Sequence, residues 1–353
     1  MFKSDEAMPY SMTAVRTYAE AGVDQSRKAS HISAIVEQLT YSRKGKGKPL
    51  VGIGHFTGLA DFGKHALSLC TDSVGTKLLV ATQMRKWDTV GIDCVAMNAN
   101  DMICIGAEPI AFVDYFAVEK YNEEIARQIG IGLNEGARRA NISIIGGEVA
   151  ILPEVIRDFD LAGTCLGIVE KSKIVAGKAI KHRDVIIGLG STGIHSNGLT
   201  LARRVFKEAG LSVHDSLPGG SGSVGQSLLE PTAIYVRPIM AVLRKHEVHG
   251  MAHFTGGGLS NIVRLKEKVE FVVTDPLEPQ PIFRAIQKLA GIEDTEMYRT
   301  FNMGMGMCVV APEDEVKGIM RTLGKSVKAK VVGEVRRGSG VSLPSMDVRF
   351  SAY

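Results

Sequence analysis

Four glycine-bearing stretches constrain this chain more than any other feature: TDSVGTK at 71–77, IIGGE at 144–148, GSTGIHSNG at 190–198 and HFTGGG at 253–258. Each follows an apolar run, and together they read as strand, glycine turn, helix start. Such a turn aims backbone N–H groups at one point while the helix dipole adds positive potential, an arrangement suited to phosphate. Three consecutive glycines, Gly256, Gly257 and Gly258, cost backbone entropy with no packing return, so close approach of a ligand is the expected reason for them. The alternation of strand and helix patterns predicts an α/β (α+β) chain in two halves, 1–170 and 171–353, each long enough for a core of its own.

Within the first half, residues 13–39 predict a helical arm with Ile32, Ile35, Val36 and Leu39 on one face. The basic segment Arg43 to Lys48 reads as a solvated loop, and VGIGHFTGLADFGK after it is too glycine-rich for a regular element, so it reads as a ligand loop. Strand and helix patterns then alternate. The best marked helix starts after Asn122, a capping residue, with Glu123 and Glu124 at the positive end of its dipole and Ile125, Ile129, Leu133 and Ala137 repeating every four residues. In the second half Val185 to Leu189 leads through 190–198 into an amphipathic helix ended by Gly210, and VKAKVVGEV reads as the last strand.

Composition removes several function classes. Hydrophobic residues at 45% and charged residues at 23% are ordinary for a globular chain. Lys and Arg total 42 against 38 Asp and Glu, a net charge of +4, which is too small for a polyanion-binding stripe and argues against nucleic acid as a partner. No run approaches the ~18 apolar residues of a membrane helix, and MFKSDEAMPYSM lacks an apolar signal core, so a cytoplasmic protein with no membrane partner is expected. Five scattered cysteines without a C-x-x-C pair suggest buried free thiols. Two motif matches fail on context. GLADFGKH at 58–65 has His65 where a P-loop needs Ser or Thr, and Gly188 of the match Gly188, Gly190, Gly193 falls inside a strand.

Asp72, Asp93, Asn100, Asp101 and Glu148 stand at ends of apolar runs, and hard oxygen donors of this kind suit Mg²⁺ carried with nucleotide phosphates. Lys77 could balance a phosphate. His195 and His253 lie beside glycine turns, where imidazole can donate to phosphate or move a proton near neutral pH.

AGVD at 21–24, GIGHFTGL at 52–59, TDSVGTK at 71–77, GIDCVAMNANDMICIGAEP at 91–109, GGE at 146–148, GSTGIHSNG at 190–198, HFTGGG at 253–258 and MYRTFNMGMGM at 297–307 follow one another over nearly the whole chain. In this the sequence resembles the aminoimidazole ribonucleotide synthetase family, the phosphoribosylformylglycinamidine cyclo-ligases of purine synthesis. The resemblance implies an N-terminal domain whose strands form a barrel with those of a second subunit, hence a homodimer. It also implies a C-terminal α/β domain and a cleft between the two. The implied reaction phosphorylates the formyl oxygen of formylglycinamidine ribonucleotide with ATP and closes the imidazole ring as phosphate leaves. ATP and Mg²⁺ are implied, with a monovalent cation as a further candidate.

By position, the resemblance assigns Asp72, Asn100 and Asp101 to Mg²⁺–ATP, Glu148 to the metal as a fourth ligand, and Lys77 to the ATP phosphates. The loop from Gly52 to Leu59, with Gly54, His55 and Phe56, would cover the nucleotide. Ser196, Asn197, Gly198 and Thr255, Gly256, Gly257, Gly258 would hold the substrate's ribose phosphate. His195, then His253, would serve proton transfer or contact an oxyanion. Residues 149–154 depart from the family's pattern, so no contact is carried over there. The alternative is another ATP-dependent enzyme of the same superfamily with a different acceptor. Its kinase-like members are similar in placing Asp where this chain has His253, which favours the cyclo-ligase.

Overall fold

The computed structural model describes residues 15–324 and 326–353. The first half builds β1 (Gly58–Phe62), β2 (His65–Ser73), β3 (Glu108–Val118), β4 (Ser143–Ile151) and β5 (Phe159–Glu170), with helices α1 (Gln25–Val36), α2 (Lys77–Met84), α3 (Val90–Ile103) and α4 (Glu123–Ala140). Its sheet runs β1-β2-β5-β3-β4, antiparallel except for the β3–β4 pair. Strict alternation of buried and half-buried residues along β5 marks a sheet with one covered face. That cover is α3, buried at nearly every position. Helix α4 crosses α3 so closely that a Cβ on Gly91 would lie 2.3 Å from Leu133 N and one on Gly132 2.5 Å from Asp88 O. The Asn122 side chain caps α4 by accepting from Glu124 N and Ile125 N, as its sequence predicts.

The second half contributes β6 (Val185–Gly190), β7 (Gly250–His253), β8 (Glu270–Val273), β9 (Met305–Ala311), β10 (Ala329–Arg336), β11 (Gly340–Leu343) and β12 (Val348–Phe350). They form a mixed sheet ordered β12-β11-β8-β10-β6-β9-β7. Helices α5 (Leu199–Glu208), α6 (Val224–Leu229), α7 (Val236–Leu243), α8 (Pro281–Ala290), α9 (Asp294–Thr300) and α10 (Val316–Leu323) complete it.

Several expectations need correction. IIGGE is not a turn: Gly146, Gly147 and Glu148 lie inside β4, because pairing with β3 outweighs the glycines' loop preference. HFTGGG follows a short strand and leads into a helix, as expected, and that helix, Gly258–Leu265, is of the 3-10 kind. GLADF, expected in a loop, is β1, and the basic segment pairs along it through Gly47 N to Asp61 O at 2.7 Å and Asp61 N to Lys48 O at 2.8 Å. The segment VKAKVVGEV is followed by two further strands. The arm's helix covers only Gln25–Val36, its apolar side chains Ile32, Ile35 and Leu39 are exposed, and residues 13 and 14 lie outside the described residues. All five thiols are free and four are buried, as expected.

Candidate active site

Helix α3 brings the two halves together. Lys77, at the start of α2, donates to Asp93 Oδ1 at 2.9 Å and to Glu230 O at 2.6 Å, with neither side chain of the ion pair exposed. The same Asp93 oxygen accepts from Thr232 N at 2.8 Å and Thr232 Oγ1 at 2.6 Å. Two turns further along, buried Asn100 donates to Ala233 O at 2.8 Å and accepts from Tyr235 N at 2.9 Å. The segment 230–235 is thus stitched onto α3. Lys77 and Asn100, expected at the nucleotide, both have their polar groups engaged in this seam. A buried ammonium needs a carboxylate and a buried amide needs backbone partners, and the seam supplies both.

Beyond the seam lies an acidic pair. Asp72 ends β2 and Asp101 lies near the end of α3. Burial, and then the charge of Asp101, push the Asp72 carboxyl up to about 6. Asp101 Oδ1 accepts from His253 Nδ1 at 2.8 Å, which fixes the ring hydrogen on that nitrogen. His55, from the loop before β1, has both ring nitrogens buried with no partner among the described residues. Burial, then the Arg264 guanidinium, hold its pKa down to about 4, although Asp101 pulls the other way. Arg264 clamps this loop from the second half: it donates to Gly54 O at 2.8 Å and stands over the Phe56 ring at 4.3 Å and the Tyr353 ring at 4.7 Å. Gly52 and Gly54 are exposed, with open space around them.

His195 is buried and sits at φ +60°, in the left-handed region, inside the 190–198 loop. Its Nε2 accepts from Thr192 N at 3.2 Å and Ala233 N at 3.4 Å, so the ring hydrogen sits on Nδ1, a buried donor with no partner among the described residues. Burial, then the charges of His253 and Lys77, hold its pKa well below the usual imidazole value. The ring is neutral. Ser196 Oγ lies 3.2 Å from Thr232 Oγ1, Asn197 Nδ2 points at Met97 Sδ at 3.9 Å, and Gly198 packs under the Phe301 ring.

The glycine triplet is approached by the chain itself. A Cβ on Gly257 would lie 2.5 Å from the Tyr353 ring, and one on Gly258, at φ +52°, 2.2 Å from Tyr298 O. Thr255 N donates to Asn261 Oδ1 and Gly258 N to Thr255 O, so these two amides serve the loop's own fold. Gly256 sits between them.

Glu148 does not join the acidic pair. Residue 72 aligns with Gly163, Asp114 and Gly147 across the sheet, so Glu148 projects from the opposite face, three strand spacings or about 14 Å away. Among the described residues no group of three or more His, Cys, Asp and Glu side chains is arranged to hold a metal ion, and no helix is long and apolar enough to cross a membrane. Two crowded carboxylates still fit a divalent cation that takes its remaining ligands from nucleotide phosphates and water. Sequence reasoning missed Arg264, Thr232 and Tyr235. Nothing in their local pattern distinguishes them, since each acts on a partner more than 130 residues away or in the other half.

Residues 55–169 match the family described as AIR synthase related protein, N-terminal domain, and residues 183–344 the AIR synthase related protein, C-terminal domain. The chain is 53% identical over 317 residues to the phosphoribosylformylglycinamidine cyclo-ligase of Methanosarcina barkeri, covering 90% of this chain and 95% of that one. It is 50% identical to the protein of the same name from Methanocaldococcus jannaschii, covering 90% and 92%. Among solved structures, a thiamine-monophosphate kinase from Stenotrophomonas maltophilia shares the fold with a TM-score of 0.63 at 20% identity, over 90% of this chain and 96% of that one.

Proposed function

We propose that this chain, which belongs to the phosphoribosylformylglycinamidine cyclo-ligase family, uses ATP to close the imidazole ring of aminoimidazole ribonucleotide from formylglycinamidine ribonucleotide, releasing ADP and phosphate. The observation that carries this reading is the high identity to cyclo-ligases over 90% of the chain.

The chemistry converts a poor leaving group into a good one. The formyl oxygen attacks the γ-phosphorus of ATP and ADP departs. The ribosyl-bearing amidine nitrogen then attacks the formyl carbon, and the C–O bond breaks as phosphate leaves with the electron pair. The protein's task is to hold two phosphorylated ligands in line and to meet charge as it develops. Asp72 and Asp101 would hold Mg²⁺ with the ATP phosphates; when bound, that ion neutralises charge on the transferring group. His253 orients Asp101 through its Nδ1–H. The loop from Gly52 to Phe56 closes over the nucleotide, clamped by Arg264, and His55 offers it two unpartnered ring nitrogens. His195, neutral and with an Nδ1–H that has no partner among the described residues, would serve as a hydrogen-bond donor to developing oxygen charge in preference to a base. Ser196, Asn197, Gly198 and the 255–258 loop line the substrate side. Lys77 and Asn100 act by fixing 230–235 against α3, and Glu148 takes no part within one chain.

The outward face of the first sheet carries exposed Leu69, Val113 and Tyr115, with exposed Ile145 at the bulge beside them. A solvated apolar face of that size supports a homodimer in which two such sheets close on each other. A cytoplasmic location and the monovalent cation complete the reading. Its test is Asp101→Asn. The variant keeps its fold and loses at least a hundredfold in Mg²⁺–ATP turnover; undiminished turnover in a folded variant overturns the metal role.

A further inference from the structure

A cavity of about 420 Å³ opens beside the glycine triplet, lined among others by Lys28, Gly257, Ser260, Arg299, Arg349 and Tyr353. Three cations converge on it, and among the described residues no Asp or Glu side chain lines it. Each arginine has a carboxylate nearby, but only at salt-bridge distances beyond hydrogen bonding: Arg349 Nη2 is 3.6 Å from Glu270, and Arg299 Nε is 3.9 Å from Glu296. Glu296 accepts from Tyr18 N at 2.8 Å and Thr300 Oγ1 at 3.1 Å through Oε1, and it is its other oxygen that lies 3.9 Å from Arg299. Arg299 is held in place by the Phe350 ring, 5.2 Å from the guanidinium carbon. Tyr353 forms part of the cavity's wall and stacks on Arg264, which clamps the Gly54 loop, and the Lys28 charge reaches Asp72.

The triplet itself offers little. With Thr255 N and Gly258 N engaged inside the loop, a phosphate placed here needs its charge met by side chains. Arginine forks match phosphate oxygens in pairs, and a lysine adds a point charge. A ribosyl 5′-phosphate is a dianion on a short tether, whereas the γ-phosphate of ATP must lie at the acidic pair with its metal. We infer that Lys28, Arg299 and Arg349 form the anchor for the 5′-phosphate of the ribosyl substrate, with the 255–258 loop as its floor. This rests on the cyclo-ligase reading for the identity of the substrate, but not for the class of ligand, a phosphate monoester.

The test pairs turnover with binding. Arg299→Gln and Arg349→Gln are expected to raise KM for formylglycinamidine ribonucleotide about ten- to a hundredfold each and to leave KM for ATP within twofold. Arg284→Gln, an exposed residue of α8 outside the cavity's lining, controls for loss of a surface charge. Ribose 5-phosphate titrated calorimetrically into the parent protein is expected to bind, and binding is lost in both variants, whose unfolding curves show whether they fold. If the parent cyclises its substrate while both folded variants keep the parental KM and ribose 5-phosphate affinity, the anchor is wrong and the function stands. If ribose 5-phosphate binds in an Arg299-dependent way but no imidazole forms, the anchor stands and the cyclo-ligase reading falls. Equal losses of ATP affinity would assign these residues to the nucleotide and overturn the inference.

Discussion

Lys77 and Asp93 form an ion pair with neither side chain exposed, and a buried charge left without its partner costs far more than the pair contributes. Lys77→Met is therefore expected to destabilise the protein by about 3–5 kcal/mol, read from denaturant unfolding. A variant that unfolds like the parent but needs more ATP would return Lys77 to the nucleotide. Asp72 works in the opposite direction. Its folded pKa, about 6, lies above the ordinary carboxylate value, so its ionised form destabilises the ligand-free fold above that pH. The penalty fades as pH falls through 6 toward the unfolded value. Asp72→Asn should thus melt higher than the parent at pH 7.5, with the gap about halved at pH 5 and closed only below about pH 4, while losing stabilisation by Mg²⁺–ATP; a variant that melts lower at pH 7.5 refutes the crowding of Asp72 and Asp101. His195→Ala should lower kcat far more than it raises KM for ATP, since a neutral donor serves the transition state and not the nucleotide. If only ATP affinity drops, His195 belongs to the nucleotide site. The residue types of this site were readable from the chain, because carboxylates and imidazoles beside glycine turns are uncommon company. Their partners were not. Lys77 looks the same in sequence whether it faces a phosphate or a carboxylate sixteen positions on, and only packing of α2 against α3 decides.

At the scale of elements, local signals succeeded where they carry their own stereochemistry. Asn122 caps α4, and the strand-turn-helix units at 71–77 and 190–198 form as their patterns require. They failed where pairing overrides preference. IIGGE has two glycines and an exposed face, yet β3 recruits it as an edge strand, and GLADF pairs with β2 as a hairpin whose turn residue Gly63 takes φ +74°. The apolar outer face of the first sheet is the element-level consequence. Tyr115→Asp, placing a charge on that face, is expected to leave a folded protein of monomer mass by light scattering where the parent has the mass of a dimer. A parent of monomer mass contradicts the closure of two sheets on each other.

For the whole molecule, the seam along α3 sets the distance between the proposed ligand loops of the two halves. Asp72 and Asp101 come from the first half, and His195, His253 and Arg264 from the second. Segment 230–235 has no sequence mark of importance, yet through Asp93, Asn100 and Lys77 it fixes how the halves meet. In the proposed function this cleft couples ATP cleavage to ring closure. That coupling is tested most directly by measuring ADP release and aminoimidazole formation together, the latter by diazo dye, with ATP, Mg²⁺ and formylglycinamidine ribonucleotide, and again with that substrate omitted. Both products are expected one to one, and neither without the substrate. ADP released with no imidazole formed would contradict the coupling and leave an ATP-using enzyme with another acceptor.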